Sequence, residues 1–153
     1  MKPILDACCG SKMFWFDKQN PLVVFADNRR ETHTLCDGRV LNINPDVLCD
    51  FRNMDFADES FNLVCFDPPH LRHAGEGSWL RKKYGTLPDD WQQYIRQGLY
   101  ECFRVLKPLG VLVFKWSDAQ VSVADVLRLA PCAPLFGHRR GKAVFLVFMK
   151  ADK

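Results

Sequence analysis

Hydrophobic and polar positions alternate along this chain in short blocks, which predicts strands separated by polar connections. Six apolar runs carry the pattern: Ile4–Leu5, Leu22–Ala26, Val47–Cys49, Phe61–Phe66, Val111–Trp116 and Ala143–Met149. Runs that are apolar at successive positions are typical of strands buried on both faces, as in parallel sheets. The pattern therefore predicts an α/β fold with a mostly parallel sheet and helices on both faces.

The clearest helix is predicted from about Pro88 to Leu106, because apolar residues recur there on one stripe at helical spacing. A second helix is predicted from Ser117, since Ser117 and Gln120 have the spacing of a capping box. Two further stretches, His70–Leu87 and Phe136–Lys142, are rich in glycine and basic residues. We predict that both are loops.

The size and composition limit the organisation of the chain. Its 153 residues and 48% hydrophobic content predict one domain, residues 1–153, with no room for a separate target-recognition domain. The seven cysteines show neither a C-x-x-C pair nor zinc-like spacing to histidine, so we expect reduced thiols and no metal site. Because no signal peptide or membrane span is recognisable, we expect a cytoplasmic protein.

An aspartate follows each of four predicted strands. These residues are Asp6, Asp27, Asp50 and Asp67. Aspartate is common as a turn former, which accounts for any one of them alone. In a doubly wound sheet, however, ligands bind at the carboxyl ends of the strands. Four acidic residues at successive strand ends therefore indicate a shared site.

The turn Asp67-Pro68-Pro69-His70 is the most informative segment of the sequence. Neither proline has an N–H group, and each restricts the backbone before it, so the turn offers hydrogen-bond acceptors in a fixed shape. A planar exocyclic amino group would suit such a site. The alternative is that the prolines merely end a strand.

Together with Gly10, these residues resemble the S-adenosylmethionine-dependent methyltransferases of the Rossmann-like class, specifically the amino methyltransferases that modify adenine or cytosine in nucleic acids. The resemblance extends from Asp6 to about Met149 in the unpermuted order, with the cofactor loop before the catalytic motif. It implies a single Rossmann-like domain with an antiparallel last strand, an enzyme, and S-adenosyl-L-methionine as the cofactor.

The resemblance also assigns cofactor-binding residues. The loop at Asp6, Ala7, Cys8 and Gly10 resembles the one that binds the methionine part of the cofactor. Asp27 matches the acidic residue that accepts hydrogen bonds from the ribose hydroxyls. Asp50 resembles the residue that accepts from the adenine amino group, and Phe51 the neighbour that packs on the ring.

By the same resemblance, Asp67, Pro68, Pro69 and His70 form the catalytic motif, in which a carboxylate and a proline carbonyl accept the two N–H groups of the target amine. Two positions depart from the family pattern. Lys12 stands where a second glycine is usual, and His70 replaces the usual aromatic residue. We expect His70 to stack on the target base rather than to act as a general base.

Basic and aromatic residues cluster in the two predicted loops, a combination that suits phosphates and stacked bases. The predicted substrate-binding residues are Arg72, Trp79, Lys82, Lys83, Tyr84, His138, Arg139 and Arg140. Solvated loops with no ligand are the alternative. The sequence thus predicts methylation of a base in DNA or RNA, with adenine N6 as the first expectation.

Two other functions remain open from the sequence. One is a small-molecule or protein-amide methyltransferase, which would leave the basic loops without a role. The other is a non-catalytic nucleic-acid-binding module, which the departures at Lys12 and His70 keep open. We also expect a homodimer, because an incompletely covered sheet face or edge would be covered by pairing.

Overall fold

The computed structural model describes residues 1–152. Its strands are β1 Ile4–Asp6, β2 Val23–Asp27, β3 Glu31–Thr34, β4 Val40–Ile43, β5 Val47–Leu48, β6 Phe61–Phe66, β7 Leu106–Ser117, β8 Phe136–Arg140 and β9 Ala143–Met149. Its helices are α1 Trp79–Tyr84, α2 Trp91–Val105 and α3 Val123–Leu127. No helix in this part of the chain is both long and apolar enough to cross a membrane.

Seven of the strands form one sheet in the order β5-β2-β1-β6-β7-β9-β8. The first five pair in parallel, and β9 is antiparallel to both of its neighbours. The predicted mostly parallel sheet with an antiparallel last strand is therefore confirmed. The strand order changes direction between β1 and β6, and the carboxyl ends of strands at such a point are where α/β sheets bind ligands.

Helices α2 and α3 contribute side chains to the same hydrophobic core on one face of the sheet. The apolar stripe of α2 is buried against β6 and β7, and Gly98 lies so close to Phe51 and Phe66 that a Cβ atom would approach their rings to 2.7 Å. On the same face, Trp116 Nε1 donates to the Val121 carbonyl at 2.9 Å and fixes the segment that leads into α3.

The alternation predicts helices on the opposite face as well, but in the structure turns cover that face. The connection between β1 and β2 is a series of turns, from which Trp15 packs edge-on against Phe25 and Phe14 against Phe145, both with ring centroids 5.6 Å apart. Beyond this loop the face stays partly open, and Phe136 is 65% exposed. The homodimer stays a prediction, which sedimentation at micromolar concentration would test.

Several predicted elements differ from the structure. The chain remains in β7 up to Ser117, so the predicted capping box there is wrong; α3 is instead capped by Ser122, whose side chain accepts from the Asp125 backbone N–H at 3.2 Å. The predicted loop at 70–87 contains α1, and most of the one at 136–142 is the edge strand β8. The hairpin of β3 and β4 was not predicted.

Candidate active site

Three of the four strand-end aspartates lie together on the face that the turns cover. In the parallel register Asp6 is paired with Phe25 and with Cys65. Asp27 lies two residues after Phe25, and Asp67 lies two residues after Cys65, so all three aspartates point to the same face. Burial raises the pKa of Asp6 to about 7; the Trp15 hydrogen bond opposes this, and the nearby charges of Asp67 and Asp27 add to it. The predicted convergence therefore holds for these three.

Asp6 and Asp27 are already bound by the protein. The Asp6 carboxylate accepts from Trp15 Nε1 at 2.7 Å and from the Cys8 N–H at 3.3 Å. Asp27, which is 1% exposed, accepts from the Gly10 N–H at 2.8 Å and from the Arg29 N–H at 2.9 Å. These two side chains hold the loop after β1 in place.

That loop has the backbone of a glycine turn although it has only one glycine. Gly10 and Lys12 both have positive φ angles, +51° and +62°, and the Lys12 N–H donates to the Cys9 carbonyl at 2.8 Å. Lys12 thus adopts the left-handed conformation that a glycine there would adopt freely. Its ammonium group lies over the Phe25 ring at 4.3 Å from the centroid. The departure at position 12 changes the side chain and not the turn.

Asp50 and Phe51 lie apart from this group. The Asp50 carboxylate is bound by the side chain and N–H of Arg52, with the shortest contact at 2.7 Å. The Phe51 ring is buried between Phe66 and Tyr94, at centroid distances of 4.9 and 4.8 Å. In this conformation Phe51 therefore has no free face for a ligand ring, and its predicted packing role stays a prediction.

Asp67 differs from the other two clustered carboxylates in having open acceptor positions. Its side chain is 22% exposed, and its ionic partner is Lys115, with Nζ 3.6 Å from Oδ2. No backbone N–H of the described chain donates to it. Burial raises the pKa of Asp67 to about 6, and the charge of Lys115 opposes that rise. The group is thus ionised at neutral pH and able to accept hydrogen bonds.

The rest of the Asp-Pro-Pro-His turn is held by packing. Pro68 is buried, and the His70 ring lies 5.5 Å from the Tyr84 ring and 6.2 Å from that of Trp116. Burial and the nearby charge of Lys115 lower the pKa of His70, so the imidazole is neutral at pH 7. A neutral ring among aromatic neighbours suits the predicted stacking role, which stays a prediction.

A cleft of about 230 Å³ opens beside Asp67, and we refer to it as the aromatic cleft. Three rings contribute to its wall, and one carboxylate and one ammonium group face into it. The lining residues are Met13, Phe14, Asp67, Tyr84, Lys115 and Phe145. Pockets of this kind, apolar with a few placed polar groups, are typical of sites for small planar ligands.

Next to the aromatic cleft, and sharing Asp67 with it, lies a second and narrower space, the inner cavity, lined by Asp6, Cys8, Gly10, Arg29 and Lys83 among others. Its volume of about 30 Å³ holds roughly one water molecule. The C-terminal end of α1 forms part of its wall and is held there by the Arg29 guanidinium, which donates to the carbonyls of Lys82 and Lys83 at 2.8 and 3.2 Å. Lys83 is thus placed at the cavity by its backbone.

The two basic segments, residues 70–87 and 136–142, both lie near the carboxyl ends of the parallel strands. The N–H groups of Arg72 and His73 both donate to Gln120 Oε1, at 2.6 and 2.9 Å. Arg139 pairs with Asp118 at 2.6 Å. Asp118 and Gln120 follow the carboxyl end of β7, so both segments flank the end of the sheet where Asp67 lies.

The remaining predicted substrate residues are solvent-accessible. His138, Arg139 and Arg140 are exposed on the edge strand β8. Trp79 is also exposed, and the Lys83 ammonium group lies 5.1 Å from the centroid of its ring. Whether these residues bind a ligand stays a prediction.

Sequence reasoning missed Lys115, Arg29 and Trp15. A signal existed for Lys115, because it is the one charged residue inside the apolar run Val111–Trp116 and lies near the carboxyl end of that strand. Nothing in the pattern marked Arg29 or Trp15, whose partners are distant in sequence.

No family model matches this chain, and no curated protein matches it in sequence. Solved structures do match its fold. The PH0226 protein from Pyrococcus horikoshii aligns with a TM-score of 0.59 at 16% identity, over 97% of this chain and 81% of that one. The 1,6-didemethyltoxoflavin-N1-methyltransferase of Burkholderia thailandensis, solved with bound 1,6-didemethyltoxoflavin and S-adenosylhomocysteine, gives a TM-score of 0.57 at 16% identity, over 97% of this chain and 71% of that one.

A TehB-like SAM-dependent methyltransferase from Corynebacterium glutamicum gives a TM-score of 0.55 at 14% identity, over 97% of this chain and 79% of that one. These likenesses show that the chain has the Rossmann-like fold that such methyltransferases use. A fold of this kind supports many chemistries, so the activity has to be argued from the site.

Proposed function

We propose that this protein is an S-adenosylmethionine-dependent methyltransferase that modifies an exocyclic amino group of a nucleic-acid base, with adenine N6 as the first candidate. The observation that carries the proposal is the state of Asp67. Of the three clustered carboxylates, it is the one with open acceptor positions, and it faces the aromatic cleft. The methyltransferases among the fold neighbours support the same class of reaction.

The residues around the inner cavity offer hydrogen-bond acceptors of the type that the cofactor would need. Asp27 ends β2 with both carboxylate oxygens accepting N–H groups, and hydroxyl groups are equivalent donors. The cavity is too small for the cofactor while α1 is bound to Arg29. We therefore infer that α1 moves away when the cofactor enters. When bound, the cofactor would supply an electrophilic methyl group beside Asp67.

Asp67 and the Pro68 carbonyl would act on the nitrogen that is methylated. The lone pair of an aromatic amine is delocalised into its ring, so the amine is a poor nucleophile. By accepting both N–H groups, Asp67 and Pro68 would stabilise a pyramidal nitrogen with its lone pair turned toward the methyl group. On transfer the nitrogen would gain the methyl group as its bond to the sulfonium sulfur breaks, and it would release one proton, which the Asp67 carboxylate can accept and pass to water.

The aromatic lining and the basic segments favour a base within a nucleic acid. Phe14, Tyr84 and Phe145 offer ring faces to a planar base, and His70 packs against Tyr84. The exposed cations of β8 and the loop after His70 lie at the same edge, where they can contact phosphates. A base inside a duplex would have to leave the stack to reach Asp67.

The test is mass spectrometry of nucleosides from DNA and RNA that have been incubated with the protein and S-adenosylmethionine. We expect methylated adenine from the wild type and a loss on the order of 10²- to 10³-fold in rate for Asp67→Ala, because a preorganised acceptor is removed. Asp89→Ala, which alters an exposed aspartate outside both cavities, serves as the control. A wild-type rate retained by Asp67→Ala would refute the proposed mechanism.

A small-molecule acceptor is the second candidate, favoured by the modest volume of the aromatic cleft and by the neighbour that methylates 1,6-didemethyltoxoflavin. Transfer of label from tritiated cofactor to a metabolite pool, with none to nucleic acid or protein, would support it. A null calorimetric titration with S-adenosylmethionine would instead favour a non-catalytic nucleic-acid-binding module.

A further inference from the structure

Lys115 is the one cation inside the aromatic cleft that the proposed reaction leaves without a role. Phe66 and Phe114 are paired in the register of β6 and β7. The residues that follow them, Asp67 and Lys115, therefore lie side by side and both point to the face opposite the two phenylalanines. The 3.6 Å between Lys115 Nζ and Asp67 Oδ2 exceeds the usual 2.7–3.2 Å range of an N–H···O bond. The ammonium group therefore retains donors for a ligand.

The two groups present a donor and an acceptor side by side at the wall of the cleft. Phe145 lies on the Lys115 side, with its ring centroid 5.9 Å from Nζ, and Phe14 packs against Phe145. A planar ligand that packs against these rings would meet the carboxylate and the ammonium group with its edge. The matching edge carries an N–H donor next to an acceptor.

We propose that Lys115 determines specificity by donating a hydrogen bond to the ring nitrogen adjacent to the amino group that Asp67 binds. The substrate class is then an aminoheterocycle with an amidine edge, which adenine and cytosine present on their Watson–Crick side. This inference rests on the proposed function, since it concerns the same cleft and reaction. It adds that the base is read by its amidine edge and not by stacking alone.

The amidine edge also accounts for the placement of a cation next to the catalytic carboxylate. Guanine presents a ring N–H beside its O6 and its amino group on the Watson–Crick side, and an ammonium group there would face a donor. A thymine or uracil ring has no amino group for Asp67. For a base read on its Watson–Crick side, the pair of Asp67 and Lys115 therefore favours adenine and cytosine over the other bases.

The experiment compares methylation of three single-stranded oligonucleotides, each with one target base: adenine, 1-deazaadenine or 7-deazaadenine. The 1-deaza analogue lacks the amidine ring nitrogen, whereas the 7-deaza analogue keeps it and loses an acceptor on the other side. For the wild type we expect kcat/KM to fall about 10- to 100-fold with 1-deazaadenine, because the Lys115 donor is left unpaired. The 7-deaza substrate is expected to react within a few-fold of adenine.

Two variants locate the effect. Lys115→Met keeps the length of the side chain and removes its donors, and it is expected to methylate adenine and 1-deazaadenine at similar, low rates. Lys142→Met, at the exposed turn between β8 and β9, is the matched control and is expected to keep the wild-type ratio. Lys115→Met should also shift the acid limb of the pH–rate profile to higher pH, because the cation that favours ionised Asp67 is gone.

The outcomes separate this inference from the proposed function. A wild type that methylates adenine and 1-deazaadenine equally, or that discriminates only against 7-deazaadenine, would overturn the role of Lys115 and leave the methyltransferase assignment intact. The comparison of the three substrates needs no variant, so a poorly folding Lys115→Met protein does not block it. A fourth oligonucleotide with cytosine as the target base is assayed alongside, and a wild type that methylates neither adenine nor cytosine would refute both proposals.

Discussion

The carboxyl group of Asp6 has a consequence for stability that depends on pH. It is 2% exposed, and burial raises its pKa from 3.8 to about 7 in the folded protein. Between about pH 4 and pH 7 the unfolded chain loses this proton while the folded protein keeps it. The folded state binds more protons in that range, so this group lowers the free energy of unfolding as the pH rises.

We predict that Asp6→Asn removes this dependence. The asparagine oxygen can still accept from Trp15, but the side chain has no proton to lose. The free energy of unfolding of the variant, relative to wild type, should therefore increase from pH 4 to pH 7 by up to roughly 4 kcal/mol and then level off. Urea unfolding at several pH values measures it. Parallel stability curves for the two proteins would contradict the prediction.

At the scale of single residues, the sequence predicted the acids but not their partners. Asp6, Asp27 and Asp67 were identified because strand ends converge in a parallel sheet, which is a property of the fold class. Trp15 binds Asp6, and the Arg29 side chain binds the carbonyls of Lys82 and Lys83, through contacts that arise only after separate segments of the chain have folded together. Asp50 was expected in the same group, but the Arg52 side chain binds its carboxylate two residues away.

At the scale of elements, we infer that α1 limits access to the inner cavity. Arg29 links the end of β2 to the carbonyls of Lys82 and Lys83, and this contact holds α1 at the cavity wall. If the cofactor binds only to the open form, its apparent affinity is reduced by the fraction of protein that is open. Weakening the contact should therefore favour binding.

We predict that Arg29→Gln increases the association rate of S-adenosylhomocysteine several-fold, as followed by stopped-flow tryptophan fluorescence. Arg30→Gln is the matched control, because the Arg30 side chain donates to the Pro45 carbonyl, which lies outside α1. Equal association rates for the two variants would show that Arg29 does not hold the cavity closed.

The elements themselves were predictable where the periodicity was strong. The runs Phe61–Phe66 and Ala143–Met149 are strands with the predicted bounds, and α2 lies inside the predicted helix. The sequence predicts a loop where the structure has the edge strand β8, because the five residues of β8 are all exposed and the strand is stabilised by backbone pairing with β9 rather than by burial. Such a strand leaves no hydrophobic pattern in the sequence.

At the scale of the whole molecule, the position of the positive charges matters more than the net charge of +3. The ends of β8 and the loop after His70 place cations at the carboxyl edge of the sheet, near Asp67. Lys107 lies at the start of β7, at the opposite edge. If nucleic acid approaches the aromatic cleft, only the cations of the first edge should contribute to binding.

We predict that affinity for a single-stranded oligonucleotide falls steeply with salt, and that Arg140→Glu weakens binding while Lys107→Glu does not. Each lost phosphate contact should reduce the slope of log affinity against log salt by roughly 1. The effect of Arg139→Glu should be smaller than that of Arg140→Glu, because Asp118 already neutralises part of the Arg139 charge. Fluorescence anisotropy at several salt concentrations measures these differences. Equal effects of Arg140→Glu and Lys107→Glu would mean that nucleic acid is attracted non-specifically to the whole surface. The proposal of a nucleic-acid substrate would then lose its support from the position of the charges.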